Sequence, residues 1–404
     1  MNAPHVYVHV PFCRRRCVYC DFSIAVRNPV PVGEFLDALA LEGERVAERI
    51  GGNEPSARAA PGSRPSTLYL GGGTPSLLGG EGVARITKML QAGPGLDEFT
   101  LEANPDDVTP AAAAAWARAG VNRLSIGAQS FDDAVLAWMH RSHGAAAIAP
   151  AVESARRAGI GTVSLDLIFA LPESRPRELD ADLDRFLALE PEHVSLYGLT
   201  VEPHTALGRL LARGEGEAAP EARYEEEYLR IHERLAAAGY RFYEVSNAAR
   251  PGAEAVHNRA YWRLEPYLGL GPSAHSFDGT SRWWNESAYA AWLRRLAAGE
   301  SPVAGRELLR PEQRRLEALY LGLRTSEGVE LPEPLTGTLA AALGAWVAAG
   351  WARTVGQSDG RTVGQADGRT VGQSDGRTVG QAGAMRVTLT PRGWLRLDEL
   401  AACF

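Results

Sequence analysis

With 404 residues, 45% of them hydrophobic, the chain is long enough to bury one large core and carry a second, smaller domain. Its formal charge of −7 argues against a broad nucleic-acid-binding face. No stretch approaches the roughly 18 consecutive apolar residues of a membrane-spanning helix, and no signal peptide is expected, since Met1 leads almost directly into a strand.

That strand is His5 to Val10, where Val6, Val8 and Val10 alternate with His5, Tyr7 and His9, giving it one apolar side. From its end runs Cys13-Arg14-Arg15-Arg16-Cys17-Val18-Tyr19-Cys20, which holds three of the chain's four cysteines. Two thiolates make a disulfide, but three leave one over. The C-x3-C half is unusual for structural zinc, which would also need a fourth ligand such as His5 or His9. An iron–sulfur cluster is the stronger reading, because closely spaced cysteine thiolates hold such clusters. Three protein ligands leave the fourth iron of a 4Fe–4S cube open to a small molecule. A site built on free thiolates needs a reducing compartment, so a cytoplasmic location is expected. Cys403, next to the last residue, is read as a bystander.

A helix follows with Phe35, Leu39, Val46 and Ile50 near one stripe, and Gly51 to Ser66 reads as a mobile loop. Thr67 to Leu70 is the second strand. It ends in Gly71-Gly72-Gly73-Thr74-Pro75-Ser76, where glycines either let backbone approach a ligand or simply form a turn. Further strands are read at Phe99 to Asn104, Arg123 to Gln129, Val163 to Ala170 and His193 to Leu199. Between them Thr109-Pro110 opens a helix that Gly120 closes. Another helix carries Leu136, Met139 and Arg141, and one from Ala145 to Ala158 stops at Gly159. Strands separated by helices indicate an α/β protein with a parallel sheet. Glu102, Gln129 and Asp166 are polar groups on otherwise buried strands. Each needs a partner or a ligand, and three on one sheet favour a ligand.

Pro220 to Ala238 reads as a charged amphipathic helix with a solvated Glu225-Glu226-Glu227 run. His257-Asn258-Arg259-Ala260-Tyr261-Trp262 follows, and a lone histidine is more often structural than a ligand. Asp278-Gly279 is a hairpin turn leading to Trp283 and Trp284. From about Pro302 the pattern changes. Helices at Pro311 to Leu323 and Leu339 to Ala349, then a strand at Met385 to Leu389, point to a small helical, winged-helix-like unit without a concentrated basic face. Inside it, Arg353-Thr354-Val355-Gly356-Gln357-Ser358-Asp359-Gly360 recurs from Arg361 and Arg369 and partly from Arg377. That period is too short for a solenoid. One Val per copy does not offset chain ordering, so a lengthened, disordered hairpin tip is expected.

C-x3-C-x2-C after a short apolar strand, followed by GGGTP, resembles the radical S-adenosylmethionine (SAM) proteins. Within them, HNxxYW at His257 to Trp262 and the run from Tyr267 to His275 resemble the HemW-type heme chaperones. The resemblance implies a partial (β/α)6 barrel over 1–300 and a C-terminal domain over 301–404. Thr390-Pro391-Arg392-Gly393 fits the closing motif of that domain, and the repeat at about 353–382 is an insertion in it. By analogy with full barrels, chemistry belongs at the C-terminal strand ends, where Cys13, Gly72, Glu102 and Gln129 fall.

The same resemblance implies that Cys13, Cys17 and Cys20 hold a 4Fe–4S cluster whose open iron takes the amino and carboxylate groups of SAM. It sets Gly72, Gly73 and Thr74 along the methionyl part, makes Tyr7, Glu102, Gln129, Arg141 and Asp166 SAM contacts, and makes His257 a heme contact. Two functions follow: a heme chaperone that binds heme and passes it to an apoprotein, or an oxygen-independent coproporphyrinogen III oxidase. A radical SAM enzyme acting on another substrate is the third reading. Phe22 stands where the oxidase has an extra cysteine, the chain lacks the oxidase's extension ahead of Cys13, and HNxxYW favours the chaperone. Oxidase activity is therefore not expected. Arg14, Arg15 and Arg16 either dock an acidic flavodoxin or ferredoxin or form a plain solvated loop.

Overall fold

The computed structural model describes residues 4–51, 64–332, 334–356 and 384–403. The loop expected over 51–66 and the repeat over 353–382 lie largely outside the described residues. Six strands form the expected series: β1 (His5–Val10), β2 (Thr67–Gly72), β3 (Glu98–Ala103), β4 (Arg123–Gln129), β5 (Thr162–Phe169) and β6 (His193–Gly198). They lie side by side in chain order, each parallel to the next. A parallel pair needs a long crossover, which helices Val32–Gly51, Gly79–Met89, Pro110–Ala119, Ile148–Arg157 and Leu179–Ala188 supply.

The sheet extends beyond the six strands, which the sequence did not show. Tyr267–Leu270 pairs parallel with the free side of β1. His275–Phe277, Ser281–Asn285 and Val303–Leu308 continue antiparallel from it, and Asn247–Ala249 runs antiparallel to β6. The turn read at Asp278-Gly279 is present, with Gly279 at φ 95°.

Alternation along the strands separates two layers. One set, including Val8, Leu68, Leu101, Leu124 and Val163, is buried with the helix residues Phe35, Leu39, Ile86 and Trp116. The other set is polar yet also buried, so the side of β1 bearing His5 and His9 does not face water. Cross-strand hydrogen bonds satisfy this second layer: His5 Nδ1 with Thr67 Oγ1 at 2.8 Å, Ser125 Oγ to Asp166 at 3.0 Å, and Ser164 Oγ with His193 Nδ1 at 2.8 Å. A barrel interior filled with paired polar groups is what a polar ligand site requires.

Local signals set several boundaries. The Thr109 hydroxyl accepts from the Ala112 N–H at 3.2 Å, Pro110 stands at the first helical position, and Gly120 closes the helix at φ 106°. Helix Asp133–Trp138 is shorter than expected. His140 adopts φ 60°, which no helix continues, so Arg141 lies beyond the helix.

The charged helix is Glu221–Ala237, and its acidic run is not uniformly solvated. Glu227 is buried: it accepts from the Ala170 N–H at 2.7 Å and pairs with Arg177 at 3.1 Å and Arg223 at 3.0 Å. Arg177, also buried, bonds Asp182 at 3.3 Å and the Ile168 carbonyl at 2.6 Å. Removing one partner of a buried pair strands the others. Arg177→Met should therefore cost about 3–5 kcal/mol of stability by denaturant titration, while Arg213→Met, at an exposed pair, should cost under about 1 kcal/mol.

Tyr243–Val245 with residues 312–404 forms a second unit. The division falls at Pro311 rather than 300, because Val303–Leu308 pairs with Ser281–Asn285. The second unit has helices Pro311–Arg324 and Gly337–Ala348 and one antiparallel sheet, in which Ala384–Leu389 lies between Val329–Pro332 and Ala352–Gly356. The first of these strands was missed by the sequence reading. Among the described residues no helix is long and apolar enough to cross a membrane.

Candidate functional site

The site starts where β1 ends. Phe12–Cys13 pairs in parallel with Ala25–Val26, closing residues 14–24 into a loop. At its neck the Ala25 N–H donates to the Pro11 carbonyl at 2.7 Å. Fully buried Phe12 anchors it edge-on to the rings of Phe35 and Tyr289, 5.5 and 5.2 Å away. The loop is tied to the barrel at Val18, whose N–H donates to Met139 O and whose carbonyl accepts from the Leu207 N–H at 2.8 Å.

All three cysteines of the loop are half-buried and unpaired. Thr74 Oγ1 donates to Cys13 Sγ at 3.4 Å and Arg141 Nη1 to Cys17 Sγ at 3.5 Å. Burial pushes the Cys13 thiol up to about 11, against the Thr74 hydrogen bond and the Arg141 charge, which lower it; a positively charged group bound beside it would favour the thiolate.

The three sulfurs line a cavity of about 310 Å³ whose other walls include Gly72, Gly73, Thr74, Glu102, Gln129, Arg141 and Asp166. Glu102 accepts from the Tyr69 hydroxyl at 2.8 Å and the Gly72 N–H at 3.1 Å. Burial nevertheless raises its carboxyl to about 7. Burial likewise raises Asp166 to about 6, against the hydrogen bonds of Ser125 and Ser195 that lower it. Gln129 sits where the pairing of β4 with β5 breaks, and its φ of 68° aims the chain away from the sheet. Arg141 donates to Asn104 Oδ1 at 2.6 Å and the Gly127 carbonyl at 2.8 Å, and its buried Nε has no partner among the described residues.

Two expected site residues fall elsewhere. Tyr7 does not line the cavity: its hydroxyl bonds His9 Nδ1 at 3.0 Å, and His9 Nε2 in turn bonds the Ser23 carbonyl at 3.1 Å. The Tyr7 ring lies near Glu102: a Cβ on Gly71 would meet Tyr7 Cε2 and Glu102 Oε1, each at 3.0 Å. His257 is fully buried, with Nδ1 on Thr67 Oγ1 at 2.7 Å and Nε2 on the Tyr261 hydroxyl at 2.8 Å. Both ring nitrogens are hydrogen-bonded in this arrangement, so the HNxxYW histidine is part of the buried polar layer here. Sequence reading also missed Tyr69, Asn104 and Ser125, which hold Glu102, Arg141 and Asp166. Their signal was present as polar residues two apart on strands otherwise read for their apolar side.

Residues 7–186 match the family model of the Radical SAM superfamily. The heme chaperone HemW of Bacillus subtilis (strain 168) is 34% identical over 327 residues, 80% of this chain and 84% of that protein. The heme chaperone HemW of Mycobacterium tuberculosis (strain H37Rv) is 38% identical over 337 residues, 81% and 83% of the two chains. The chain belongs to the HemW family. Its fold is that of the coproporphyrinogen III oxidase HemN from Escherichia coli, a radical SAM enzyme, with a TM-score of 0.76 at 20% identity over 100% of this chain and 90% of that one.

Membership in the radical SAM superfamily implies a 4Fe–4S cluster and SAM, and the HemW-family residues present fit both. Among the described residues no group of three His, Cys, Asp or Glu side chains is placed to hold a single metal ion. Three unpaired thiols at the cavity wall suit a group that gives each sulfur its own iron. The partnerless Arg141 Nε and the two carboxylates are unmet hydrogen-bonding capacity for a zwitterionic ligand with hydroxyls.

Two outcomes check the site. Cys13→Ala, Cys17→Ala and Cys20→Ala should each abolish a reconstituted cluster by iron and sulfide analysis and electron paramagnetic resonance, while Cys403→Ala leaves it intact. The second concerns Glu102. An acid whose folded value is raised stabilises the fold fully below its unfolded value of 4.5, and that contribution is lost as pH rises through about 7. The cofactor-free wild type should lose about 2 kcal/mol relative to Glu102→Gln between pH 5 and pH 8. Denaturant titrations at the two pH values measure it.

Proposed function

We propose that the protein is a heme chaperone: it binds heme and passes it to an acceptor apoprotein, in a reducing cytoplasm. The observation that carries this is its 34–38% identity to named heme chaperones over about four-fifths of each chain. When bound, the cluster supplies an open iron for SAM and a low-potential electron. Cys13, Cys17 and Cys20 would hold the cluster. Around SAM, the Gly72, Gly73 and Thr74 backbone would flank the methionyl part, Glu102 and Asp166 would accept from hydroxyl or ammonium donors, and Arg141 would pair with a carboxylate. Gln129 supplies both a donor and an acceptor.

Decarboxylation of coproporphyrinogen III is the competing activity. Phe22 stands where that enzyme carries a further cysteine. Here its side chain, 57% exposed, lines the same cavity, so the position offers an apolar ring and no thiol. Arg14 is engaged by Asp106 and Asp107, whereas among the described residues Arg15 and Arg16 bond backbone carbonyls alone. A negatively charged electron donor would meet those two.

The test is anaerobic. Purified, cluster-loaded protein should bind heme with a defined stoichiometry, seen as a Soret band. With SAM and reductant it should leave coproporphyrinogen III intact and release no carbon dioxide. Catalytic formation of protoporphyrinogen IX would overturn the chaperone assignment.

A further inference from the structure

Heme presents three chemistries to a protein: an iron that takes an imidazole, two carboxylates that take cations, and two broad apolar faces. The sequence has nine histidines. Six are buried, each with a hydrogen bond or ring contact, although His143 Nδ1 has no hydrogen-bond partner among the described residues and lies out of reach of solvent. His5 bonds Thr67 and Glu265, His9 bonds Tyr7 and Ser23, and His257 bonds Thr67 and Tyr261. His193 bonds Ser164, His143 bonds the Ala128 carbonyl, and His232 stacks on Phe242 with centroids 3.4 Å apart. His140, His204 and His275 are exposed. His275 stacks on Trp284. Neither it nor His204 lines the cavity, whereas His140 does.

Building on the heme-chaperone reading, we infer that His140 is the imidazole that ligates heme iron at the mouth of the cluster cavity, with Arg15 pairing a propionate and Phe22 and Tyr197 against the porphyrin. The His140 side chain has no hydrogen-bond partner among the described residues, so its ring is available. Its backbone adds a second observation. His140 sits in the left-handed region at φ 60°, closing helix Asp133–Trp138, with its N–H on the Ala137 carbonyl at 3.1 Å and the Arg141 N–H on the Leu136 carbonyl at 3.0 Å. Glycine fills such a helix end without strain. Histidine there costs about 1 kcal/mol and places an imidazole at the cavity.

The other two chemistries meet at the same mouth. Phe22 and Tyr197 are 57% and 52% exposed and both line the cavity. Two large aromatic side chains left in water beside one opening mark a binding face. Arg15 lines it too, and among the described residues its one hydrogen bond is a long one, 3.4 Å to the Arg141 carbonyl. Arg14, by contrast, is already neutralised by Asp106 and Asp107.

The experiment is a hemin titration of cluster-loaded wild type, His140→Ala, His204→Ala and His257→Ala, read by the Soret band after subtraction of the cluster absorbance. His140 is exposed, so its loss should not unfold the chain, and unchanged SAM binding confirms that. His140→Ala should shift the Soret band and weaken heme binding by roughly tenfold or more, and added imidazole should restore the wild-type band. His204→Ala should match wild type, and a folded His257→Ala should keep the wild-type band position. An unchanged band and affinity in His140→Ala, or a band lost only in His257→Ala, would overturn the inference while leaving the chaperone reading in place. Absence of any Soret band in wild type would overturn that reading itself.

Discussion

The site rests on how closely two strand ends approach. A side chain on Gly73 would meet the Phe12 carbonyl at 2.6 Å, one on Gly72 would meet the His9 ring at 2.6 Å, and one on Gly71 would meet the rings of Tyr69 and Tyr7 and the Glu102 carboxylate within about 3 Å. Three consecutive residues without Cβ therefore let the end of β2 lie against the end of β1. The Gly73 N–H donates to Val10 O at 2.8 Å across that gap. Thr74 is thereby delivered to Cys13 and the Gly72 N–H to Glu102. Widening this contact would separate the thiol loop from the carboxylate wall.

The barrel interior explains why that wall suits a ligand. Parallel strands usually bury apolar residues on both faces, but here the inner face carries Tyr69, Glu102, Ser125 and Asp166. Each carboxylate has protein donors, yet burial still lifts Glu102 to about 7 and Asp166 to about 6. The protein-only site therefore favours their neutral forms more than exposed carboxyls would. A ligand bringing a positive charge and hydroxyl donors supplies what the protein leaves unmet.

Much of this was legible in the sequence because apolar spacing reports the helix-facing side of each strand. All six barrel strands were read from it, as were the cap at Thr109 and the stop at Gly120. The inner side was harder. A histidine such as His5 or His257 looks the same in sequence whether it faces water, a ligand or a threonine from a strand about 60 or 190 residues away. The glycine run reads in sequence either as room for a ligand or as a plain turn, and its tightest contacts prove to be with His9 and Phe12, at and just past the end of β1. Glu227 looked like solvent-facing charge because its partner Arg177 comes from another element, fifty residues earlier. The strand at Tyr267–Leu270 is short and glycine-bearing, so its pairing with β1 came from the fold and not from local propensity. Glu102, Gln129, Arg141 and Asp166 stand out in the sequence because each breaks an apolar run or follows a family motif, and they line one cavity with the three cysteines. Their supporting partners do not stand out in this way.

The three thiols and the carboxylate wall line one cavity, and the proposed site has SAM bound between the cluster and Glu102. The most direct measurement is electron–nuclear double resonance on the reduced, reconstituted protein with SAM labelled in its amino nitrogen or carboxylate oxygen. Strong hyperfine coupling between the label and the cluster is predicted, together with weaker SAM binding in Glu102→Ala and Asp166→Ala at unchanged cluster content. SAM that binds with no coupling to the cluster, and with an affinity indifferent to both substitutions, would contradict the account.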